Sequence, residues 1–272
     1  MTVNMKKVIK ADIPGYIFEH FEKTGLVRQV FTTKEGGVSK GHLSSLNLGT
    51  QRGDDPDNVY ENYRRVGAFL GVTPSDMILS AQTHTTNVKR VTGKDAGNGL
   101  THDYAFSDVD GMITNEPGIV LVTSYADCVP LYFLDPVKKA IGLSHSGWRG
   151  TVGRMGLQTV RAMQREFGSK PEDLLAGIGP CICRDCYEVS EDVAMAFEKE
   201  FNDTKDILFP KENNKYLLDL KKANEIILKE AGLKAENIVD SGLCTCCRSD
   251  EFFSHRATKG KRGNVCAFLG LY

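Results

Sequence analysis

The chain has 272 residues and a mass of 30.0 kDa, with 41% hydrophobic and 25% charged residues and a formal net charge of -1. These totals describe an ordinary soluble globular chain, long enough to bury a core without disulfides or a metal merely to fold. They exclude the clustered Lys/Arg excess of a nucleic-acid binder, and no run approaches the ~20 apolar residues of a membrane span.

The opening residues, MTVNMKKVIKADIPGYIFEH, carry charges throughout and lack the apolar core of a signal peptide. A cytoplasmic location is therefore expected. There the eight cysteines should stay reduced, which points to thiol or metal chemistry rather than a disulfide framework.

No internal repeat or low-complexity segment is visible. Thr32 to Asn58 is a long polar stretch rich in Gly, Ser and Asp, of the kind that is functional or disordered in a compact chain. A helix is expected next, with Pro56 near its start, Val59, Tyr63, Val66 and Leu70 on one face, and Gly71 after its end. Met77 to Val91 reads as a strand. DVDGMIT, GIVLVTSYADCVPLYFLD and KAIGLSHS read as further strands, and their near-continuous apolar runs suggest burial on both faces.

TVGRMGLQTVRAMQREFG is expected as one helix, although Gly153 and Gly156 weaken it by about 1 kcal/mol each relative to alanine. Two more helices are expected over SEDVAMAFEKEF, with Ser190 as N-cap, and DLKKANEIILKEAG. The tail offers strands at both ends and a charged loop between. No linker separates halves, so the expected class is α+β, a single domain with a mixed β-sheet flanked by helices.

Three metal-capable residues each sit at or just after a strand-like segment: His84 in AQTHTTN, Cys128 in SYADCVPLYFLDP and His145 in GLSHSGWRG. A catalytic zinc keeps three protein ligands and an open fourth position, which a His/Cys/His set suits. Bound zinc lowers the pKa of its water to about 7. Each residue alone has a plainer reading: a hydrogen-bonded turn histidine, or a small buried cysteine. Asp127 beside Cys128 and Gln82 two residues from His84 add a charge and a hydrogen-bonding group.

If KKAIGLSH is a strand and a helix follows, SGWRG is the loop that feeds the helix N-terminus. Free N–H groups and the helix dipole there favour an anion, and Arg149 adds a bidentate donor suited to phosphate. Trp148 is positioned to stack on a flat ring or to cap the core. Gly147 and Gly150 let the backbone approach a ligand closely. The plainer alternative is a Gly-rich turn with Arg149 paired to a carboxylate.

These blocks, together with FTTKEGGVSKGHLSSLNLGTQRGDDPDNVYENYRRV, GIGPCICRDCYEV and CTCCRSDEFFSHR, run in order from about Phe31 to Arg256. The chain resembles the bacterial laccase-domain proteins, also called polyphenol-oxidase-like or multicopper-oxidase-like. That resemblance implies one α+β domain over 1–272 and a zinc at His84, Cys128 and His145. It further implies purine nucleoside phosphorylase activity on adenosine, inosine, guanosine and methylthioadenosine, together with adenosine deamination. The chain departs from the usual family blocks at Lys34, Thr85 and His255, none of them a metal ligand.

Arg149 is then the candidate for holding phosphate. Asn47, Gln82 and Asp127 are candidates for substrate orientation or proton transfer, and Arg65 and Arg256 are further candidates for phosphate. CICRDC (Cys181, Cys183, Cys186) and CTCC (Cys244, Cys246, Cys247) invite a second, structural zinc. Their spacings fit a closed site only loosely, so buried structural thiols are expected, with an oxidation-sensitive pair as the alternative.

Three rival readings use the same residues. One is a cysteine hydrolase with Cys128 as nucleophile and His145 or His84 as base. A second is a copper-binding phenol oxidase, since a His₂Cys set also suits copper and Cu2+ outcompetes Zn2+ on raw affinity. A true multicopper laccase is rejected, because only the scattered His20, His42, His102 and His255 remain for further copper. The third is a partner-binding module with a structural metal. Oligomeric state is left open.

Overall fold

The computed structural model describes residues 3–272. In chain order the elements begin with β1 (Lys6–Lys10), β2 (Ile13–Ile17), α1 (Glu19–Glu22) and β3 (Val27–Thr32). After the polar stretch come α2 (Pro56–Leu70), β4 (Met77–Leu79), β5 (Val88–Arg90), β6 (Gly111–Thr114) and β7 (Val120–Tyr125). The middle of the chain holds β8 (Val129–Asp135), β9 (Ala140–Ser146), α3 (Trp148–Val152), α4 (Met155–Phe167) and β10 (Leu175–Ile178). The last third holds β11 (Glu188–Ser190), α5 (Glu191–Glu200), β12 (Leu208–Pro210), β13 (Lys215–Leu218), α6 (Leu220–Glu230), β14 (Ile238–Asp240) and β15 (Val265–Leu271).

The fold is α+β, as expected, and its mixed sheet is divided in two. One six-stranded sheet runs β1-β2-β3-β15-β7-β4 and the other β14-β10-β8-β9-β6-β5, with a small β11-β13-β12 sheet beside them. The larger sheets face each other across a core built by Phe31, Leu121, Tyr125, Tyr132, Leu143 and Leu269. Helix α2 covers the outer face of the first sheet through Val59, Tyr63, Val66 and Leu70. Helices α4, α5 and α6 cover the outer face of the second through Val160, Met163, Phe197, Ile227 and Leu228. Each such side chain contributes about 1.5–3 kcal/mol of burial. The central strands β8 and β9 are buried throughout, as their apolar runs foretold.

Local signals explain the ends of α2. Asp55 caps its N-terminus by accepting the Asp57 N–H at 3.0 Å, and Gly71 closes it at φ 72. Three expectations need correction. The strand expected over GIVLVTSYADCVPLYFLD is two, β7 and β8, which turn at Ala126–Cys128 into different sheets. The strand expected over Met77 to Val91 is broken into β4 and β5, which belong to different sheets. The chain needs the irregular residues between them to cross from one sheet to the other.

The single helix expected from Thr151 is also two helices. Its break is at Arg154, with φ 59, where the guanidinium pairs with Glu200 and Glu230. No helix among the described residues is long and apolar enough to cross a membrane.

Candidate active site and metal centre

The candidate site forms where the chain passes between the two sheets. The segment joining β4 to β5 carries His84. The corner joining β7 to β8, in opposite sheets, ends in Cys128. His145 lies near the end of β9, where it pairs with Pro130 of β8. Antiparallel pairing of two buried strands thus puts the imidazole beside the thiol, and the β4–β5 crossing adds the second imidazole.

The ligand atoms of His84, Cys128 and His145 all lie within 4.8 Å of one another. His145 is buried, Cys128 half-buried and His84 exposed. Burial opposes ionisation of Cys128, but the charge and hydrogen bonds of His145 and His84 outweigh it and hold the thiol down at about 6. Burial likewise opposes protonation of His145. The Cys128 thiolate and the Asp110 carboxylate overcome it and raise His145 to about 9. The site therefore stabilises a thiolate, the form that binds a soft cation.

Asp110 organises both imidazoles. Its fully buried carboxylate lies 2.8 Å from His145 Nδ1 and accepts the backbone N–H of His84 at 3.1 Å. It also accepts the N–H groups of Thr83 and Thr85, at 3.1 and 2.9 Å. This anion holds His84 at φ 66, a left-handed conformation unusual for a histidine. With Nδ1 committed to Asp110, Nε2 of His145 is the nitrogen left for an ion.

Gly147 completes the enclosure. A Cβ there would lie 3.0 Å from Cys128 Sγ and 3.1 Å from His84 Cδ2. The His₂Cys donor set, the carboxylate behind one imidazole and this clearance fit a catalytic zinc.

The three side chains line a cavity of about 310 Å³. Leu48, Leu79, Tyr104 and Val122 supply apolar wall, while Gln82, Ser124 and Asn264 supply polar wall. Two cations, Arg52 and Arg262, also line it. Arg262 is only 9% exposed, its buried Nε has no hydrogen-bond partner, and its NH1 is held by Asn264. Burial, reinforced by the nearby Arg52 charge, lowers Arg262 to about 10. An anion seated there would relieve both effects.

The other expected site residues are placed as follows. Gln82 lines the cavity, but its amide pairs with both backbone groups of Ser124, at 2.7 and 3.0 Å. Asp127, at φ 88, turns its carboxylate to Thr245 (2.7 Å), Ser254 (3.0 Å) and the Arg256 N–H (2.7 Å). Asn47 is fully buried and joins Asp54, Gly49 and Asn264.

Arg149 is exposed and stacks on Trp148 at 4.3 Å, and neither residue lines the cavity. The helix they open, α3, has only five residues, Trp148–Val152. Arg65 is spent on Glu61 and the Gly36 carbonyl, and Arg256 on the carbonyls of Cys186 and Glu188.

Sequence reasoning thus missed Asp110, Arg52 and Arg262 as site residues. Asp110 sits in the quoted DGMIT block, but nothing local ties it to either histidine. Arg262 lies in a charged loop that reads as solvent-facing.

Comparisons with known proteins show the family and the fold. The profile of the family described as multi-copper polyphenol oxidoreductase laccase matches residues 28–272. Purine nucleoside phosphorylase YlmD of Bacillus subtilis is 38% identical over 243 residues, covering 89% of this chain and 87% of the relative. Adenosine deaminase RL5, from an unknown prokaryotic organism, is 34% identical over 247 residues, covering 90% and 93%. The crystal structure of Bacillus licheniformis hypothetical protein YfiH superposes with a TM-score of 0.91 at 34% identity, covering 95% and 96%.

Proposed function

The chain belongs to the multi-copper polyphenol oxidoreductase laccase family, and from that premise we propose that it is a purine nucleoside phosphorylase that also deaminates adenosine. Residues 1–272 form one such domain. Relatives are named purine nucleoside phosphorylase and adenosine deaminase; our reading extends this to adenosine, inosine, guanosine and methylthioadenosine as substrates, with phosphate. The observation that carries this reading is a three-donor metal set opening onto a cavity whose wall also holds the buried, part-unpartnered guanidinium of Arg262.

His84, Cys128 and His145 would hold a zinc ion, or Cu2+ on the same donors. When bound, zinc supplies a Lewis acid and an acidified water. Asp110 fixes the His145 tautomer and shapes the backbone at His84. Arg262 and Arg52 take the anion-holding role expected of Arg149, binding phosphate by charge and forked hydrogen bonds. In phosphorolysis a phosphate oxygen bonds to the anomeric carbon, the glycosidic C–N bond breaks, and the base leaves with a proton. Positioning of the two reactants supplies much of the rate. In deamination water adds at C6 of adenine and ammonia leaves. Gln82, which braces the His84 loop against β7, is the candidate for orienting the nucleoside.

A second reading is favoured by one observation. Cys128, His145 and Asp110 form a thiolate, imidazole and carboxylate chain such as a cysteine hydrolase uses. His84, converging on the same point, favours a metal.

The deciding experiment chromatographs the products of adenosine with and without phosphate. Adenine and ribose-1-phosphate should require phosphate, some inosine should form without it, and Cys128→Ala should abolish both. Activity surviving complete removal of metal by a chelator would support the hydrolase instead.

A further inference from the structure

Away from the cavity, two C-x-x-C segments meet. Cys183 and Cys186 lie between β10 and β11, and Cys244 and Cys247 between β14 and β15. Their four sulfur atoms all lie within 4.8 Å of one another, and all four residues are free thiols. Sγ of Cys183 and Cys247 are 3.8 Å apart, and Sγ of Cys186 and Cys247 are 3.4 Å apart. The edge of a tetrathiolate tetrahedron with Zn–S of about 2.3 Å is about 3.8 Å, whereas a disulfide needs about 2 Å. The expected buried thiols of Cys183 and Cys244 are thus joined by Cys186 and Cys247 in one cluster.

The backbone is also arranged for thiolates. The N–H groups of Cys183 and Cys247 point at Cys244 Sγ, at 3.2 and 3.3 Å. Lys221, itself 7% exposed, lies close enough to Cys244 to feel its charge. Arg256 bonds the carbonyl of Cys186. Four thiolates around a divalent ion carry a net charge of about -2; Arg256 lies beside the cluster, while Lys221 is shared with Asp240 at 2.9 Å.

We propose that Cys183, Cys186, Cys244 and Cys247 form a closed tetrathiolate zinc site, separate from the His84/Cys128/His145 centre. All four coordination positions are taken by sulfur, so the site is structural and leaves no vacancy for substrate.

Its place in the fold gives it a second consequence. The Ile182 N–H donates to the Asp127 carbonyl at 3.0 Å, and Thr245 Oγ1 donates to the Asp127 carboxylate at 2.7 Å. Both cysteine segments therefore grip the residue before Cys128. A zinc ion cross-linking them holds the corner that presents Cys128 to the cavity.

The test uses the Cys128→Ala protein, in which the cavity centre has lost its thiolate. Grown with zinc, purified under reducing conditions and treated with a mild chelator, it should retain one equivalent of zinc per chain, against two for the untreated wild type. Cobalt replacing that zinc should give the intense thiolate-to-metal charge-transfer bands of a tetrahedral four-sulfur site. Adding Cys183→Ser and Cys247→Ser should remove the remaining equivalent and lower the melting temperature by several degrees. No metal in Cys128→Ala, iron in place of zinc, a disulfide among the four cysteines, or a cobalt spectrum showing mixed nitrogen and sulfur ligation would each overturn the assignment. The cobalt spectrum does not require the serine variants to fold.

Discussion

Asp110 Oδ1 lies 2.8 Å from His145 Nδ1, and the same buried carboxylate receives the backbone N–H of His84. One anion thus orients one prospective ligand through its ring and the other through its main chain. The two histidines are 61 residues apart in sequence, by subtraction of their numbers, and this carboxylate links them directly.

Replacing Asp110 should consequently damage the metal centre without touching a ligand. Asp110→Asn removes the charge behind His145 and, by amide orientation, leaves either the N–H groups of Thr83 and Thr85 or those of His84 and His145 Nδ1 without an acceptor. Zinc affinity should fall about 10–100-fold, typical for loss of a residue that orients a ligating histidine. Stability should fall by about 2–4 kcal/mol from the unsatisfied donors. Competition with a chromophoric chelator and urea denaturation measure the two effects. An affinity within twofold of wild type would remove Asp110 from the site.

The two arginine assignments separate by substrate. Arg262→Gln should raise KM for phosphate about 10–100-fold, the cost of losing a charge-assisted hydrogen bond of about 1.5–3 kcal/mol. Adenosine deamination, which consumes no phosphate, should keep its kcat. Arg149→Gln should change phosphate KM less than twofold, because Arg149 stacks on Trp148 outside the cavity. The reverse pattern would restore the anion site to the strand-to-helix loop.

Acid stability carries a signature of His20. Burial lowers its pKa from 6.5 to about 4, its Nε2 has no partner, and its ring packs 4.4 Å from Phe21. The folded pKa is below the unfolded one, so the unfolded chain takes up a proton first as pH falls below 6.5. Stability is therefore lost progressively between pH 6.5 and 4, and the loss attributable to His20 between pH 7 and 5 is about 2 kcal/mol. His20→Gln should lose correspondingly less over that interval in urea midpoints. Equal losses in both proteins would mean that His20 does not titrate on unfolding.

Much of this protein was legible in its residues. Helix α2 was marked by Pro56, its apolar face and Gly71. The buried strands β7, β8 and β9 were marked by apolar runs too long for a half-exposed sheet, and His84, Cys128 and His145 by metal-capable chemistry at strand ends. These are local properties, because backbone preference, hydrophobic period and donor chemistry are written in adjacent residues.

What the chain could not reveal by itself is which segments meet. Only the packing of two sheets makes the Met77 to Val91 segment break and cross, carries His84 to Cys128, and sets Asp110 behind both histidines. The same packing turns Arg149 out to solvent while burying Arg262 in the cavity wall. It also closes two loosely spaced cysteine pairs into one four-sulfur cluster. Such contacts join residues tens to hundreds of positions apart, and their geometry is decided by how the sheets bury their apolar faces, which no single stretch of sequence encodes.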